Sequence, residues 1–107
     1  MSPFEREAVF LDLLEEAIKN NSTHGKLLRK IRKELLGFSQ ERYASLAGIS
    51  RRTLSDVEQD KESITLTTLN RVFKPLGLRL GLLPRQTHMM QELLTNLTQH
   101  GEPNDHP

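Results

Sequence analysis

Cysteine and tryptophan are missing from this sequence, and tyrosine occurs once. Without cysteine there is no disulfide, no thiolate zinc ligand and no cysteine nucleophile, a usage that fits a reducing compartment. No apolar run approaches the ~20 residues that a membrane-spanning helix needs. The stretch Met1-Ser2-Pro3-Phe4-Glu5-Arg6-Glu7 has neither the basic start nor the apolar middle of a secretory signal. These absences lead to the expectation of a soluble, cytoplasmic protein that engages no membrane. The G-x-x-x-x-G-K-S/T, H-E-x-x-H and G-x-S-x-G patterns are missing too. The histidines, at 24, 88, 100 and 106, show no metal-ligand spacing on a common helix face. At 107 residues the chain has the size of one small domain. The expectation is no enzyme: no catalytic residue, no metal and no cofactor.

What is present is unevenly placed. The formal net charge is only +1, but residues 1–21 hold two Lys/Arg against five Asp/Glu, whereas residues 22–62 hold nine against six. A basic middle suggests that an anionic partner meets residues 22–62.

Hydrophobic spacing organises the chain as mainly α. Ser2 can cap a helix, Pro3 suits its first turn, and Glu5 lies three residues on, as in a capping box. Phe4, Ala8, Leu11, Leu14 and Ile18 then recur at three- and four-residue steps, predicting an accessory helix over 1–21 whose apolar face packs into a core or a dimer. Asn20 to Gly25 breaks it. The segment 22–77 forms the main domain. In its first helix Leu27, Leu28, Ile31 and Leu35 share one face, and Gly37 closes it. Lys26, Arg29, Lys30, Arg32 and Lys33 crowd the other faces, either as solubilising side chains or as DNA contacts. Two short helices, 39–47 and 50–59, are separated by Gly48-Ile49, and a further one runs from about Thr67 to Leu76.

Beyond the helices, Leu78-Arg79-Leu80-Gly81-Leu82 alternates with the period of a strand. A strand over 78–84 with no neighbour is unstable, so Leu78, Leu80 and Leu82 are expected to pair across the two-fold axis of a homodimer. Met89 to Leu97 suggests a weak helix within 85–100, and Gly101 to Pro107 a disordered tail.

The stretch from Ser39 to Lys61 carries the functional signal. Ser39 caps a helix of barely two turns whose inward residues are Tyr43, Ala44 and Ala47. Gly48 falls where the chain must reverse, and a left-handed backbone is cheapest for glycine. Ser50 caps the second helix, in which Leu54 and Val57 point inward. Left outside is one polar stripe, Arg51, Arg52, Ser55, Asp56 and Gln59, with its long donors at the N-terminal end. That is the helix-turn-helix arrangement, in which the second helix enters the major groove. Arg can grip guanine O6 and N7, and serine bonds to any base. Asp56 either accepts from a cytosine amino group or holds a neighbouring arginine in place.

These residues resemble the helix-turn-helix of the Cro/phage-repressor (Xre) family, with Ser39-Gln40-Glu41, Ala44, Gly48-Ile49-Ser50, Thr53, Ser55 and Glu58 in register over residues 26–77. The resemblance implies a small lambda-repressor-like helical fold. It assigns base reading to Arg51, Arg52, Ser55 and Asp56, and phosphate positioning to Ser39, Gln40, Ser50, Thr53 and Lys61. It also implies an ion pair from Glu58 to the preceding helix. Arg32 is the partner if one residue is inserted before Gly37, and Lys33 is the partner without that insertion.

Ser63-Ile64-Thr65-Leu66-Thr67-Thr68-Leu69 and the segment after it further resemble the HipB antitoxins, although residues 1–22 add a helix that a minimal HipB lacks. That likeness implies a repressor autoregulating a toxin–antitoxin operon, with operator duplex DNA and a HipA-like Ser/Thr kinase, or its separate N-terminal subdomain protein, as partners. The alternatives are a stand-alone Xre repressor of phage or metabolic genes and, from another class, an adaptor binding only protein.

Overall fold

A computed structural model describes residues 1–100, the side chain of His100 excepted; the expected tail over 101–107 lies outside them. Six α-helices lie among the described residues: α1 (Pro3–Lys19), α2 (His24–Lys30), α3 (Gln40–Ala47), α4 (Arg51–Glu58), α5 (Leu66–Phe73) and α6 (Thr87–His100). A π-helical turn, Ile31–Leu36, continues α2, and a short 3-10 turn, Lys74–Leu76, continues α5.

The starts of α1 to α5 all follow from side chains that fill the free N–H groups of a first turn. Ser2, Thr23, Ser39, Ser50 and Thr65 each accept from the backbone N–H three residues on, and Ser2 and Glu5 complete the reciprocal capping box. Thr23 therefore starts α2 at His24, so the break expected over 20–25 is two residues shorter. Gly37, Gly48 and Gly77 end their elements in left-handed backbone.

The core sits among α2, α3, α4 and α5. Leu28, Tyr43, Ala44, Ala47, Leu54, Val57, Val72 and Phe73 are buried together, with Ile49, Ile64, Leu69, Leu78 and Leu80 packed against them. Every inward residue expected of α3 and α4 is in that group. Tyr43 is buried to its tip, and its hydroxyl donates to the Val72 carbonyl oxygen at 2.6 Å. That carbonyl lies at the end of α5, where the helix no longer supplies a donor.

The accessory helix turns a different face inward from the one expected. Phe4, Leu11 and Ile18 are exposed and, of the expected stripe, only Leu14 is half-buried. Val9, Phe10, Leu13 and Ala17 lie half-buried beside it. The helix carries two overlapping apolar stripes at helical spacing, and docking on α2 and its π turn selects the second.

The expected strand over 78–84 is also absent: no strand occurs among the described residues. Leu78 N–H bonds the Phe73 carbonyl oxygen at 3.2 Å and Leu80 N–H bonds Asn70 Oδ1 at 3.3 Å. Both leucines are half-buried, whereas Leu82 is fully exposed. A segment with strand periodicity becomes a strand only beside another, and this one bonds to residues of helix α5 instead.

Candidate nucleic-acid interface

α3 and α4 form two short helices joined by a tight turn. Gly48, at φ 74°, reverses the chain, and Ile49 N–H bonds back to the Ala44 carbonyl oxygen at 3.0 Å. Ala44 is buried at that crossing. Ser50 Oγ accepts Thr53 N–H at 3.0 Å and lies 2.8 Å from the Thr53 hydroxyl, so two of the three expected phosphate-contacting hydroxyls meet at the start of α4.

With Leu54 and Val57 in the core, the stripe of Arg51, Arg52, Ser55, Asp56 and Gln59 points outward as its spacing predicts. Arg51 and Arg52 are exposed at its first turn, and Ser55 and Asp56 are half-exposed below them. Gln59 Nε2 donates to Ser55 Oγ at 2.9 Å. Asp56 pairs at 3.9 Å with Lys61 Nζ, so the cation beside it is a lysine rather than the expected arginine, and that lysine is itself one of the expected phosphate contacts.

The C-terminal end of α4 is anchored by charge. Glu58 accepts from Arg32 twice, Oε2 from Nε at 2.6 Å and Oε1 from Nη2 at 2.9 Å, while Arg32 Nη1 donates to the Phe38 carbonyl oxygen at 2.8 Å. Gln40 Nε2 also donates to Glu58 Oε1, at 3.0 Å. This network resolves the choice between Arg32 and Lys33. The π-helical turn takes up one extra residue before Gly37, and Gly37 and Phe38 N–H both close on the Arg32 carbonyl oxygen. That wider turn leaves Arg32 facing α4 and Lys33 facing solvent. Gln40 thus spends one amide hydrogen on Glu58 and keeps the other free at the start of α3. Ser39, the cap of α3, is exposed, and Arg42 stacks over the Phe38 ring at 3.8 Å.

Thr23, Gly25 and Asp60 contribute to the same framework and carry no signal in the sequence. Gly25 is buried where α2 meets the end of α4, and Asp60 hydrogen-bonds across that junction. Only the clearance between two helices, absent from any local pattern, makes Gly25 special.

The geometry of α3, turn and α4 agrees with the comparison to known proteins, in which residues 28–83 match the family described as Helix-turn-helix. The matched stretch covers just over half of the chain. The chain belongs to the helix-turn-helix family. This helix-turn-helix protein is also similar to the HTH-type transcriptional regulators PuuR of Escherichia coli (strain K12) and of Shigella flexneri, each 43% identical over 57 residues. Those residues are 53% of this chain and 30% of each regulator, so the similarity spans less than a third of the relatives' length. No solved structure matches the chain. Among the described residues of the helix-turn-helix protein, no helix is long and apolar enough to cross a membrane.

Proposed function

We propose that this chain reads an operator sequence in duplex DNA, binds it as a homodimer and represses transcription there. The observation that carries the reading is the setting of α4: one face is sunk in the core, its far end is tied by Glu58 to Arg32 and Gln40, and Arg51 and Arg52 stand exposed at its first turn. Two cations at the positive end of a helix dipole are locally unfavourable by roughly 0.3–1 kcal/mol each. Guanine O6 and N7, or phosphate, supply the acceptors that reverse that cost. Ser55 and Asp56 extend the reading face, with Asp56 able to accept from a cytosine amino group. Ser39, Gln40, Ser50, Thr53 and Lys61 surround it with donors for phosphate, which position the helix without specifying sequence.

Support for the homodimer comes from residues 78–84, which have the period of a strand, have no strand beside them among the described residues and carry the fully exposed Leu82. Pairing two copies across a two-fold would give each segment a neighbour and set two reading helices about one helical turn apart, ~10 bp or a multiple of it.

The finer role, an antitoxin-side component beside a HipA-like kinase or its separate N-terminal subdomain protein, has the Thr-Leu-Thr-Thr likeness behind it. That motif also has a local duty, since Thr65 caps α5 by accepting Thr68 N–H at 3.1 Å. A stand-alone repressor fits equally, and a kinase gene beside this one separates the two. A protein-only adaptor leaves the paired arginines at the start of α4 without a use.

Selection from a randomised duplex pool, followed by fluorescence anisotropy at two salt concentrations, tests the reading. The expected result is a palindromic motif bound with a steep salt dependence. Arg51→Ala or Arg52→Ala should cost about 1–3 kcal/mol and relax one base position. Arginine variants that keep full operator preference would refute α4 as the reading helix.

A further inference from the structure

Beyond Glu58 the chain is tied to α2 a second time. Asp60 takes left-handed backbone, φ 58°, a conformation that L residues adopt sparingly but Asp tolerates better than most. From there its carboxylate turns back across the junction. Oδ1 accepts Gly25 N–H at 2.9 Å and Oδ2 accepts the Thr23 hydroxyl at 2.7 Å. Thr23 itself caps α2 by accepting Lys26 N–H at 3.2 Å. The fit is close: a Cβ on Gly25 would lie 2.4 Å from the Val57 carbonyl oxygen and 2.8 Å from that of Glu58. The end of α4 thus rests on the start of α2 backbone to backbone, with Asp60 as the clasp.

We propose that Asp60 is a positioning residue for DNA reading, which fixes the tilt of α4 on α2 and so the place where Arg51 and Arg52 meet base edges, without touching DNA itself. This rests on the function proposed above. The core contacts of Leu54 and Val57 and the Arg32–Glu58 pair hold α4 along its inner side; a second tie two residues past its end, to the opposite end of α2, resists rotation about that pair. α4 is roughly 12 Å long, so a tilt of about 5° at its anchored end moves the reading end by about 1 Å. A bidentate contact does not survive that displacement, because hydrogen-bond distances span only a few tenths of an ångström.

The test uses the full chain and a duplex that the wild type enriches from a randomised pool. Affinity is measured on that duplex and on a scrambled one, with circular dichroism alongside. Asp60→Gly removes the carboxylate while relieving the left-handed backbone. It should lower the ratio of the two affinities roughly tenfold, the weight of one mismatched base pair, while scrambled binding is unchanged. Asp60→Asn, which keeps an oxygen for Gly25 N–H and an amide for the Thr23 hydroxyl, should restore the ratio to within about twofold. Thr23→Asp retains a capping oxygen for Lys26 N–H but sets a like charge against Asp60, and should lower the ratio as Asp60→Gly does. The ratio is blind to the fraction of chain folded, so a purely stabilising role leaves it unchanged. An unchanged ratio in both Asp60→Gly and Thr23→Asp overturns the clasp while DNA reading stands. A wild type that enriches no sequence overturns DNA reading and this role with it.

Discussion

Arg32 and Glu58 meet through two parallel hydrogen bonds with both side chains more than nine-tenths removed from water, at 8% and 4% exposure. The third guanidinium bond, to the Phe38 carbonyl oxygen, and the Gln40 amide on Glu58 leave neither charge short of partners. Removing one member of such a pair strands the other, at a cost of about 3–5 kcal/mol. Arg32→Ala should therefore lower unfolding stability by that amount in urea titration. Lys33→Ala, at an exposed position one residue on, should change it by less than about 0.5 kcal/mol. Equal effects at both positions would reverse the assignment of the pair.

Gly25 and Gly81 make a second contrast. A Cβ on Gly25 runs into backbone carbonyls of α4, which cannot swing aside as a side chain would, whereas one on Gly81 meets nothing within 4 Å. Gly25→Ala should destabilise by at least about 1–3 kcal/mol, the range for overpacking a tight core. Gly81→Ala should be neutral or stabilising by up to about 1 kcal/mol, because it restricts the unfolded chain. Paired thermal melts separate the two.

Tyr43 gives the fold a pH dependence at its alkaline end. Burial raises its hydroxyl from the ordinary 10.0 to about 12, since the phenolate would be desolvated. The folded state then holds its proton through a range in which the unfolded chain has lost it. The contribution is fully present below about pH 10 and falls by on the order of 2–3 kcal/mol as pH rises to about 12. Tyr43→Phe keeps the ring and drops this proton. It should cost about 1 kcal/mol near neutral pH, through the orphaned Val72 carbonyl. The difference in stability between wild type and variant should shrink, then change sign, between pH 10 and 12. A constant difference across that range would mean that the hydroxyl is not buried.

How much of this was readable beforehand depends on whether the cause was local. The caps Ser2, Ser39 and Ser50, the reversal at Gly48 and the inward residues Tyr43, Ala44, Ala47, Leu54 and Val57 each follow from spacing within one or two turns, and the structure has them all. Arg32 required knowing that α2 ends in a π turn, where one added residue shifts every later side chain by about 100° around the axis. The sequence carries the insertion but not its location until Glu58 is in place. Gly25 and Asp60 are specified by each other across more than thirty positions, so no window of local sequence contains the reason for either. In α1 the two apolar stripes are both valid helical faces, and only its neighbours decide between them. The segment 78–84 has strand periodicity, but a period of two says nothing about whether a partner lies in the same chain.

That last point sets the final prediction. Leu78 and Leu80 are half-buried on the core of their own chain, whereas Leu82 is fully exposed. The three expected interface leucines therefore divide into two that serve the monomer and one that is free to meet another copy. Leu80→Asp would lose its packing and place a charge on the core, so a weakened dimer in that variant would be hard to tell from a weakened fold. Leu82→Asp has no contact to lose within the chain. If two copies pair through residues 78–84, Leu82→Asp should shift sedimentation from dimer to monomer while the melting temperature of the helices moves by only a few degrees. Operator affinity should fall far more than affinity for an isolated half-site, because two linked reading helices gain by effective concentration what one alone lacks. A Leu82→Asp chain that sediments as a dimer and binds the whole operator normally would move the interface away from this segment, and the exposed stripe of α1, Phe4, Leu11 and Ile18, would be the next surface to substitute.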